Sequence, residues 1–285
     1  QGRKKNMYRV VKILNNNGVL AIDMEAGKEV IFLGNGAGFG KKTGQRFDHI
    51  DGASVYTAET RREQESALKV VNGMDPVFLE VTGKIIETAE QVFRQVNHDI
   101  LLPLADHIAL AVKRVREGKE LPNPFTQDIQ ALFEQEYQVA LKGREIIEKE
   151  TGCKIPEDEV GYITLHIHSA LSEENVEQSL IMARLVKKCV LNIEEGLGIQ
   201  VPPHTLGYSR LVSHIRYMIM RTCKGEKVNL DLEDYARENF PKAYHLADRI
   251  CRDMEKELGK QMAKEETGFL GIHIQRVYAL AQGRE

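Results

Sequence analysis

The sequence has few of the features that define disulfide-bonded, metal-binding or membrane proteins. Its four cysteines are scattered and form no C-x-x-C pair, which argues against a disulfide framework or a zinc site and suits a reducing cytoplasm. No apolar run approaches the roughly 18 residues that a membrane span requires. No signal peptide begins the sequence. We therefore expect a cytoplasmic protein without membrane insertion, bound metal or cofactor.

A glycine-rich loop, GNGAGFGKK, also lacks both common nucleotide-binding patterns. The P-loop pattern needs a glycine where Asn35 stands and a serine or threonine where Lys42 follows Lys41. The dinucleotide fingerprint fails because Phe39 and Lys41 occupy the positions of its last glycine. The loop does offer one aromatic ring beside two lysines, an arrangement that suits RNA loops and bulges. An ordinary flexible turn with an exposed Phe39 is the alternative.

Charge is distributed unevenly along the chain. Residues 1–51 carry nine basic and five acidic side chains, whereas the remainder has seven more acidic than basic side chains. A basic N-terminal segment, here called the head, followed by an acidic remainder indicates that the head binds a polyanion. An excess this small also fits an ordinary solvated surface.

The first fifty-odd residues have the pattern of a small antiparallel sheet. Tyr8 to Leu14 is rich in β-branched residues, and the Asn17-Gly18 pair after it predicts a hairpin, because both residues tolerate positive φ. Val19 to Met24 and Glu29 to Leu33 are the next predicted strands, and Ala53 to Thr57 is the fourth. A single sheet of this size has little core, so we expect it to dimerise.

From Asp75-Pro76 onward the periodicity is helical, since a capping acid is followed by proline at the first helical position. Apolar stripes at spacings of three and four then continue to the end of the chain. The predicted helices include Glu136 to Lys149, Glu159 to Leu171, Tyr244 to Leu258 and Glu265 to Leu280. The predicted fold class is a small antiparallel β-sheet domain followed by two tandem all-α helical modules.

Two stretches of the helical part are copies of each other. A shift of 107 residues places His107 on His214 and His166 on His273. The same shift maps several other residues onto identical ones, namely Arg114, Phe133, Tyr137, Glu159 and Gly161 onto Arg221, Phe240, Tyr244, Glu266 and Gly268. We interpret this register as a tandem duplication of a module built around paired histidines.

The repeated histidines lie beside apolar residues of their own helices, which predicts partly accessible rings at the rim of a buried stripe. A structural role remains open for any one ring. Metal binding is disfavoured, because His166 and His168 face apart on a helix. A ring nitrogen can instead carry phosphate, which adds roughly −1.5 to −2 charges by analogy with phosphoserine. Asp106, next to His107, could orient that ring or repel phosphate, and Ser213 replaces it in the second copy.

Four motifs together resemble a known family. The segments KILNNNGV from Lys12 and GNGAGFGKK from Gly34 resemble the co-antiterminator RNA-binding domain. The pairs DHIA with GYITLH, and SHIR with GFLGIH, resemble tandem PTS regulation domains. This combination resembles the sugar-operon transcriptional antiterminators of the BglG/SacY type, and the loop is most similar to their glucose-system members.

The resemblance implies a homodimeric, non-enzymatic antiterminator that binds an RNA hairpin in an mRNA leader and prevents terminator formation. The family's RNA-contact positions are Lys12, Asn15, Asn17, Gly34, Asn35 and Phe39, and Lys41 and Lys42 add phosphate contacts on charge grounds. Its phosphorylation positions are His107, His166, His214 and His273, with phosphate from the PTS phosphocarrier protein or a sugar permease. The expected domains are 1–64 for RNA binding, 65–173 for the first regulation domain and 174–285 for the second.

We expect phosphorylation in the first module to disfavour the active dimer, and sugar uptake to remove that phosphate. Two other classes stay open on the residues alone. A phosphohistidine relay enzyme would use the histidines as intermediates and the sheet only as a docking surface. A DNA-binding activator would carry the same modules, but it needs a helix-turn-helix or ATPase module that the strand-rich head does not resemble.

Overall fold

The computed structural model describes residues 7–34, 36–57, 74–226, 228 and 230–283. They divide into two compact units: the first comprises the described residues up to 123 together with 135–176, and the second comprises 124–134 and 177–283. Within these described ranges, no helix is both long and apolar enough to cross a membrane.

The head of the first unit is a five-stranded antiparallel sheet in the order β4-β1-β2-β3-β5. Its strands are β1 (Tyr8–Asn15), β2 (Gly18–Asp23), β3 (Glu29–Leu33), β4 (Arg46–Phe47) and β5 (Ser54–Thr57). The four predicted strands are confirmed. Strand β4 was not predicted, because two residues are too few to show an alternating pattern. Asn15 pairs with Gly18, which confirms the predicted hairpin.

The two faces of the sheet are buried in different ways. One face has its own small core, in which the Phe32 ring packs edge-on against Tyr8 and Phe47, with centroids 4.8 and 5.0 Å away. The other face contributes Leu20, Ile31 and Leu33 to the helical core that follows. Because this second face is covered within the same chain, its burial here does not depend on another subunit. Dimerisation stays a prediction.

Ten α-helices follow in the described residues. They are α1 (Pro76–Val92), α2 (Leu101–Arg116), α3 (Thr126–Leu132), α4 (Glu134–Thr151), α5 (Glu157–Ser169), α6 (Val176–Leu197), α7 (Leu206–Lys224), α8 (Glu233–Asn239), α9 (Pro241–Leu258) and α10 (Lys264–Ala281). Asp75 caps α1 as predicted, since its carboxylate accepts a 3.1 Å hydrogen bond from the Val77 amide. The all-helical character of the two modules is confirmed.

The core of the first unit is formed mainly by α1, α2, α4 and α5. Fully buried apolar side chains from these helices meet, among them Ile85, Leu104, Ile108, Tyr137 and Ile163. Helix α1 packs on α2, and α2 packs on α5. This packing positions the inner faces of α2 and α5, which carry the first histidine pair, side by side.

The second unit contains α3 as well as α6 to α10. Helix α3 packs on α7, where the Tyr208 hydroxyl donates a 2.6 Å hydrogen bond to the buried Asp128 carboxylate. The Arg216 guanidinium lies 5.0 Å from the centroid of the Phe133 ring. The repeat shift maps α3 onto α8, a helix of equal length that packs on α9 and α10. Both copies of this short helix therefore belong to the second unit.

Candidate RNA-binding surface and histidine sites

The β1–β2 turn and the glycine-rich loop of the head form one hydrogen-bonded structure. The backbone carbonyls of Asn16 and Asn17 accept hydrogen bonds from the Gly38 and Gly34 amides, at 2.8 and 2.9 Å. The Asn17 side-chain oxygen accepts a further one from the Gly36 amide at 2.8 Å. The turn therefore fixes the base of the loop, as expected if both segments serve one binding surface.

Asn17 and Gly34 hold this structure together from inside. Asn17 is only 5% exposed, and its side-chain nitrogen donates a 2.6 Å hydrogen bond to Glu80 of α1. A Cβ atom at position 34 would lie 2.5 Å from the Gly52 carbonyl oxygen, so only glycine permits this close approach of the two backbones. These two predicted RNA-contact residues thus have evident structural roles.

Other predicted RNA-contact residues face solvent. Phe39 is 77% exposed, which is unusual for a phenylalanine, and Lys12 and Lys42 are exposed too. The Lys41 ammonium lies 5.1 Å from the centroid of the Phe47 ring. Asn35 lies outside the described residues, and for Asn15 the structure describes only the backbone, in β1. The exposed Phe39 ring is suited to stack on an unpaired base, and the lysines that follow it in the chain are suited to contact phosphates.

The first histidine pair lies between α2 and α5. His107 and His166 have ring centroids 5.2 Å apart, and both rings are partly buried, which confirms the predicted position at the rim of the core. Tyr162, one turn before His166, places its ring 5.7 Å from that of His107. Burial, followed by the nearby His107, lowers the pKa of His166 to about 3, so the His166 ring is neutral at physiological pH.

A buried carboxylate completes this site. The Glu159 side chain is 1% exposed, and its Oε2 lies 3.1 Å from Nε2 of His107. Its Oε1 accepts a 2.6 Å hydrogen bond from Arg114. Burial alone would raise the pKa of Glu159, but the contacts with His107 and Arg114 outweigh it and hold the pKa below its ordinary value. Glu159 is therefore ionised and shared between a cation and the histidine.

The second pair, on α7 and α10, has different contacts. His214 and His273 stack with centroids 3.8 Å apart. Both oxygens of Glu266 accept hydrogen bonds from Arg221, at 2.6 and 2.7 Å. Burial lowers the pKa of His214 to about 3, with smaller contributions from His273 and Arg221. Burial, followed by Arg276, also lowers the pKa of His273.

The sequence interpretation missed the role of the two glutamates and named only Asp106 as a residue that could orient His107. Asp106 is exposed and makes no hydrogen bond or ion pair within the described part of the chain. The signal was present in the repeat register, which preserves Glu159 with Arg114 and Glu266 with Arg221. An ionisable pair kept in both copies, on the same helices as the histidines, predicts a buried ion pair.

His168 has a different environment from the paired histidines. It is buried, and its Nδ1 lies 2.9 Å from the Glu136 carboxylate. The repeat shift places Gln275 at the corresponding position, so this contact is not duplicated. Among the described residues, no group of three or more histidine, cysteine, aspartate or glutamate side chains is arranged to hold a metal ion.

An RNA-binding head and two duplicated histidine modules define the class of protein. Residues 8–65 match the family described as CAT RNA binding domain, and residues 83–170 and 187–277 each match the PRD domain. The chain therefore belongs to the family of proteins that join a CAT RNA-binding domain to two PRD domains.

Several named proteins are similar over nearly the whole chain. The GlcA/glcB genes antiterminator of Staphylococcus carnosus (strain TM300) is 29% identical, over 94% of this chain and 94% of that protein. The transcription antiterminator LicT of Bacillus subtilis (strain 168) is 27% identical, over 94% and 98%. A crystal structure of GlcT CAT-PRDI is 34% identical with a TM-score of 0.53, covering 58% of this chain and 99% of that one.

Proposed function

We propose that the protein is a transcriptional antiterminator of an operon for a sugar phosphotransferase system, and a regulator rather than an enzyme. A dimer of the chain binds an RNA hairpin in an mRNA leader, so that the terminator does not form. The observation that carries this function is an exposed Phe39 in a loop fixed by the buried Asn17, within a CAT RNA-binding domain. The antiterminators among its relatives support the same function.

RNA contact is divided between residues that shape the loop and residues that meet the nucleic acid. Asn17 and Gly34 hold the loop in place, whereas Phe39 stacks on an unpaired base. Lys12, Lys41 and Lys42 contact phosphates, which makes binding dependent on salt. The family resemblance assigns RNA contact to Asn15 and Asn35 as well.

Control comes from phosphate on the histidines, delivered by the phosphocarrier protein or a sugar permease. Helix α1 supports this proposal, because it contacts the head through Glu80 and packs on α2, which carries His107. A phosphate charge beside α2 therefore acts next to the helix whose Glu80 binds Asn17 of the head. This path gives a physical connection between the first histidine pair and the RNA loop.

The direction of control is the one expected from the sequence and its family resemblance. Phosphorylation of His107 and His166 favours an arrangement in which the heads do not pair, and sugar uptake removes that phosphate. A population shift between the two arrangements needs a differential stability of a few kcal/mol. His214 and His273 supply a second input. The proposed domains are 1–64, 65–173 and 174–285.

RNA binding is tested on the full chain with a gel-shift assay that compares a hairpin RNA with duplex DNA of the same sequence. We expect hairpin RNA to bind and duplex DNA to compete poorly. Phe39→Ala should weaken RNA binding about 5- to 150-fold, since stacking contributes about 1–3 kcal/mol per base. Met24→Ala is the matched control, because it removes an exposed apolar side chain elsewhere on the head.

The two other classes give different results in the same assay. A DNA-binding activator would prefer the duplex. A relay enzyme would bind neither nucleic acid, and Phe39→Ala would leave phosphate transfer between histidines intact. Incubation with the charged phosphocarrier, followed by mapping of phosphohistidine, tests the regulatory half of the proposal. Four unmodified rings and unchanged subunit pairing would contradict it.

A further inference from the structure

The two histidine sites contain the same residue types, but the two oxygens of the buried glutamate have different partners in each site. In the second module, Arg221 occupies both oxygens of Glu266. In the first module, Arg114 uses only Oε1 of Glu159, through Nε at 3.3 Å and a terminal nitrogen at 2.6 Å. The second oxygen of Glu159 is thereby left to face the His107 ring at 3.1 Å.

The two ring nitrogens of His107 have unequal surroundings. Nε2 is buried and lies 3.1 Å from Oε2 of Glu159, an electrostatic contact in which neither atom makes a hydrogen bond of regular geometry. Nδ1 makes no hydrogen bond in the described part of the chain and is not among its buried unpartnered nitrogens, so it is the ring nitrogen with access to solvent in a side chain that is 17% exposed as a whole. Only Nδ1 is therefore open to an incoming phosphoryl group. A carboxylate facing one nitrogen while the other reacts is the arrangement that orients a catalytic imidazole.

We propose that Nδ1 of His107 is the atom that accepts phosphate in the first module, and that Glu159 is the positioning residue that keeps the proton on Nε2. This inference rests on the proposed phosphorylation of the modules and specifies its chemistry. His214 also buries its Nε2, but its glutamate is occupied by arginine. Positioning of a histidine by a buried glutamate is therefore proposed for the first module only.

The transfer balances without any redox step. The donor is a phosphohistidine of a carrier protein, protonated on its other ring nitrogen. The Nδ1 lone pair of His107 attacks phosphorus, the donor's phosphorus–nitrogen bond breaks, and the donor ring leaves as neutral imidazole. The proton on Nε2 of His107 stays in place, so the phosphorylated ring becomes positively charged. The Glu159 carboxylate faces this proton and stabilises that charge.

The position of the phosphate is measured on the full chain with two donors. One is the charged phosphocarrier protein, and the other is potassium phosphoramidate, which loses ammonia and needs no protein docking. Chymotryptic digestion at alkaline pH yields residues 105–110, whose only histidine is His107, and residues 212–217, whose only histidine is His214. Alkaline hydrolysis of each peptide and chromatography then distinguish the Nδ1 from the Nε2 isomer.

We expect the Nδ1 isomer in peptide 105–110 with both donors. The Nε2 isomer at His107, or an unmodified His107 alongside a modified His166, would overturn the inference. A carrier that labels none of the four histidines, together with Nδ1 labelling of His107 by phosphoramidate, would contradict the proposed regulation and support the inference.

The positioning role is tested with Glu159→Gln. Its initial rate of labelling at His107 should fall about 10-fold, which corresponds to about 1.4 kcal/mol, and both isomers should appear because the ring is no longer held. Glu266→Gln is the matched control: it disrupts the corresponding arginine pair and should leave the rate and isomer at His107 unchanged. Equal slowing in both variants, with no change of isomer, would show that the glutamates are only structural.

Discussion

The two histidine modules show how far a duplication can diverge while it keeps its residues. Both copies retain two histidines, an arginine and a glutamate in one register. In the first module, His107 contacts Glu159 and the rings are 5.2 Å apart; in the second, the rings stack at 3.8 Å and Arg221 takes the whole carboxylate. Residue identity is thus preserved, whereas the contacts that set reactivity differ.

The modules also differ in which ring has the strongly lowered pKa. The pKa of about 3 belongs to the second histidine of the first module, His166, but to the first histidine of the second module, His214. In both cases burial is the main cause. His107 has a carboxylate partner that His214 lacks. If the proposed phosphorylation takes place, we therefore expect the two modules to respond differently to the same phosphate donor.

The largest expected effect comes from breaking the arginine–glutamate pairs. Arg221→Met leaves Glu266, whose side chain is 2% exposed, without its charged partner, and should cost about 3 kcal/mol of unfolding free energy. Arg114→Met should cost about 1 kcal/mol less, because Glu159 retains its contact with His107. Urea unfolding followed by helical circular dichroism measures both. Equal losses would show that the His107 contact contributes nothing.

A smaller effect is expected from adding one methyl group to a helix. Gly268→Ala would place Cβ 2.8 Å from backbone atoms of Leu232 and Glu233 at the start of α8, and should destabilise the protein by about 2 kcal/mol. Gly83→Ala is the control in α1, where a Cβ meets nothing within 4 Å. It should stabilise by up to about 1 kcal/mol through helix propensity. The melting temperatures should move in opposite directions.

The smallest effect concerns acid stability. His166 and His214 keep pKa values of about 3 when folded, whereas an unfolded histidine has a pKa of about 6.5. Below that value the unfolded chain binds protons that the folded chain does not, so stability falls as pH decreases. Each ring contributes a slope of at most about 1.4 kcal/mol per pH unit. The denaturation midpoint should depend less steeply on pH between pH 7 and 5 in both His166→Gln and His214→Gln than in the unmodified protein. A weaker pH dependence in only one variant would show that only that module contributes to acid sensitivity.

Much of the architecture could be predicted because its signals are local or repeated. The Asn17-Gly18 hairpin, the Asp75-Pro76 helix start and the rim position of the four histidines follow from short patterns that the structure confirms. The contacts between segments could not be predicted in the same way. No periodicity indicates that Asn17 bonds to Glu80, which lies 63 residues away, or that Arg114 leaves one oxygen of Glu159 for His107.

Several elements were missed for other physical reasons. Strand β4 and helices α3 and α8 are too short to show their period. The 22-residue α6 was not predicted, although Asn175, a residue type that often caps helices, directly precedes it. Asp106 was considered as a partner of His107 because it is adjacent in sequence, and Glu159 was given no role. Adjacent residues on a helix point in different directions, whereas Glu159 on α5 meets the ring across the helix pair.

The location of α3 has a practical consequence for dissecting this protein. Its seven residues come before α4 and α5 in the chain, yet Tyr208 and Arg216 of α7 hold its buried acid and its last carbonyl. A truncation after residue 173 would remove both of these partners while leaving α3 attached to the fragment. A single truncation site therefore cannot separate the two copies cleanly. Measurements on the shortened protein would include the behaviour of α3 without its packing partners as well as that of the first repeat.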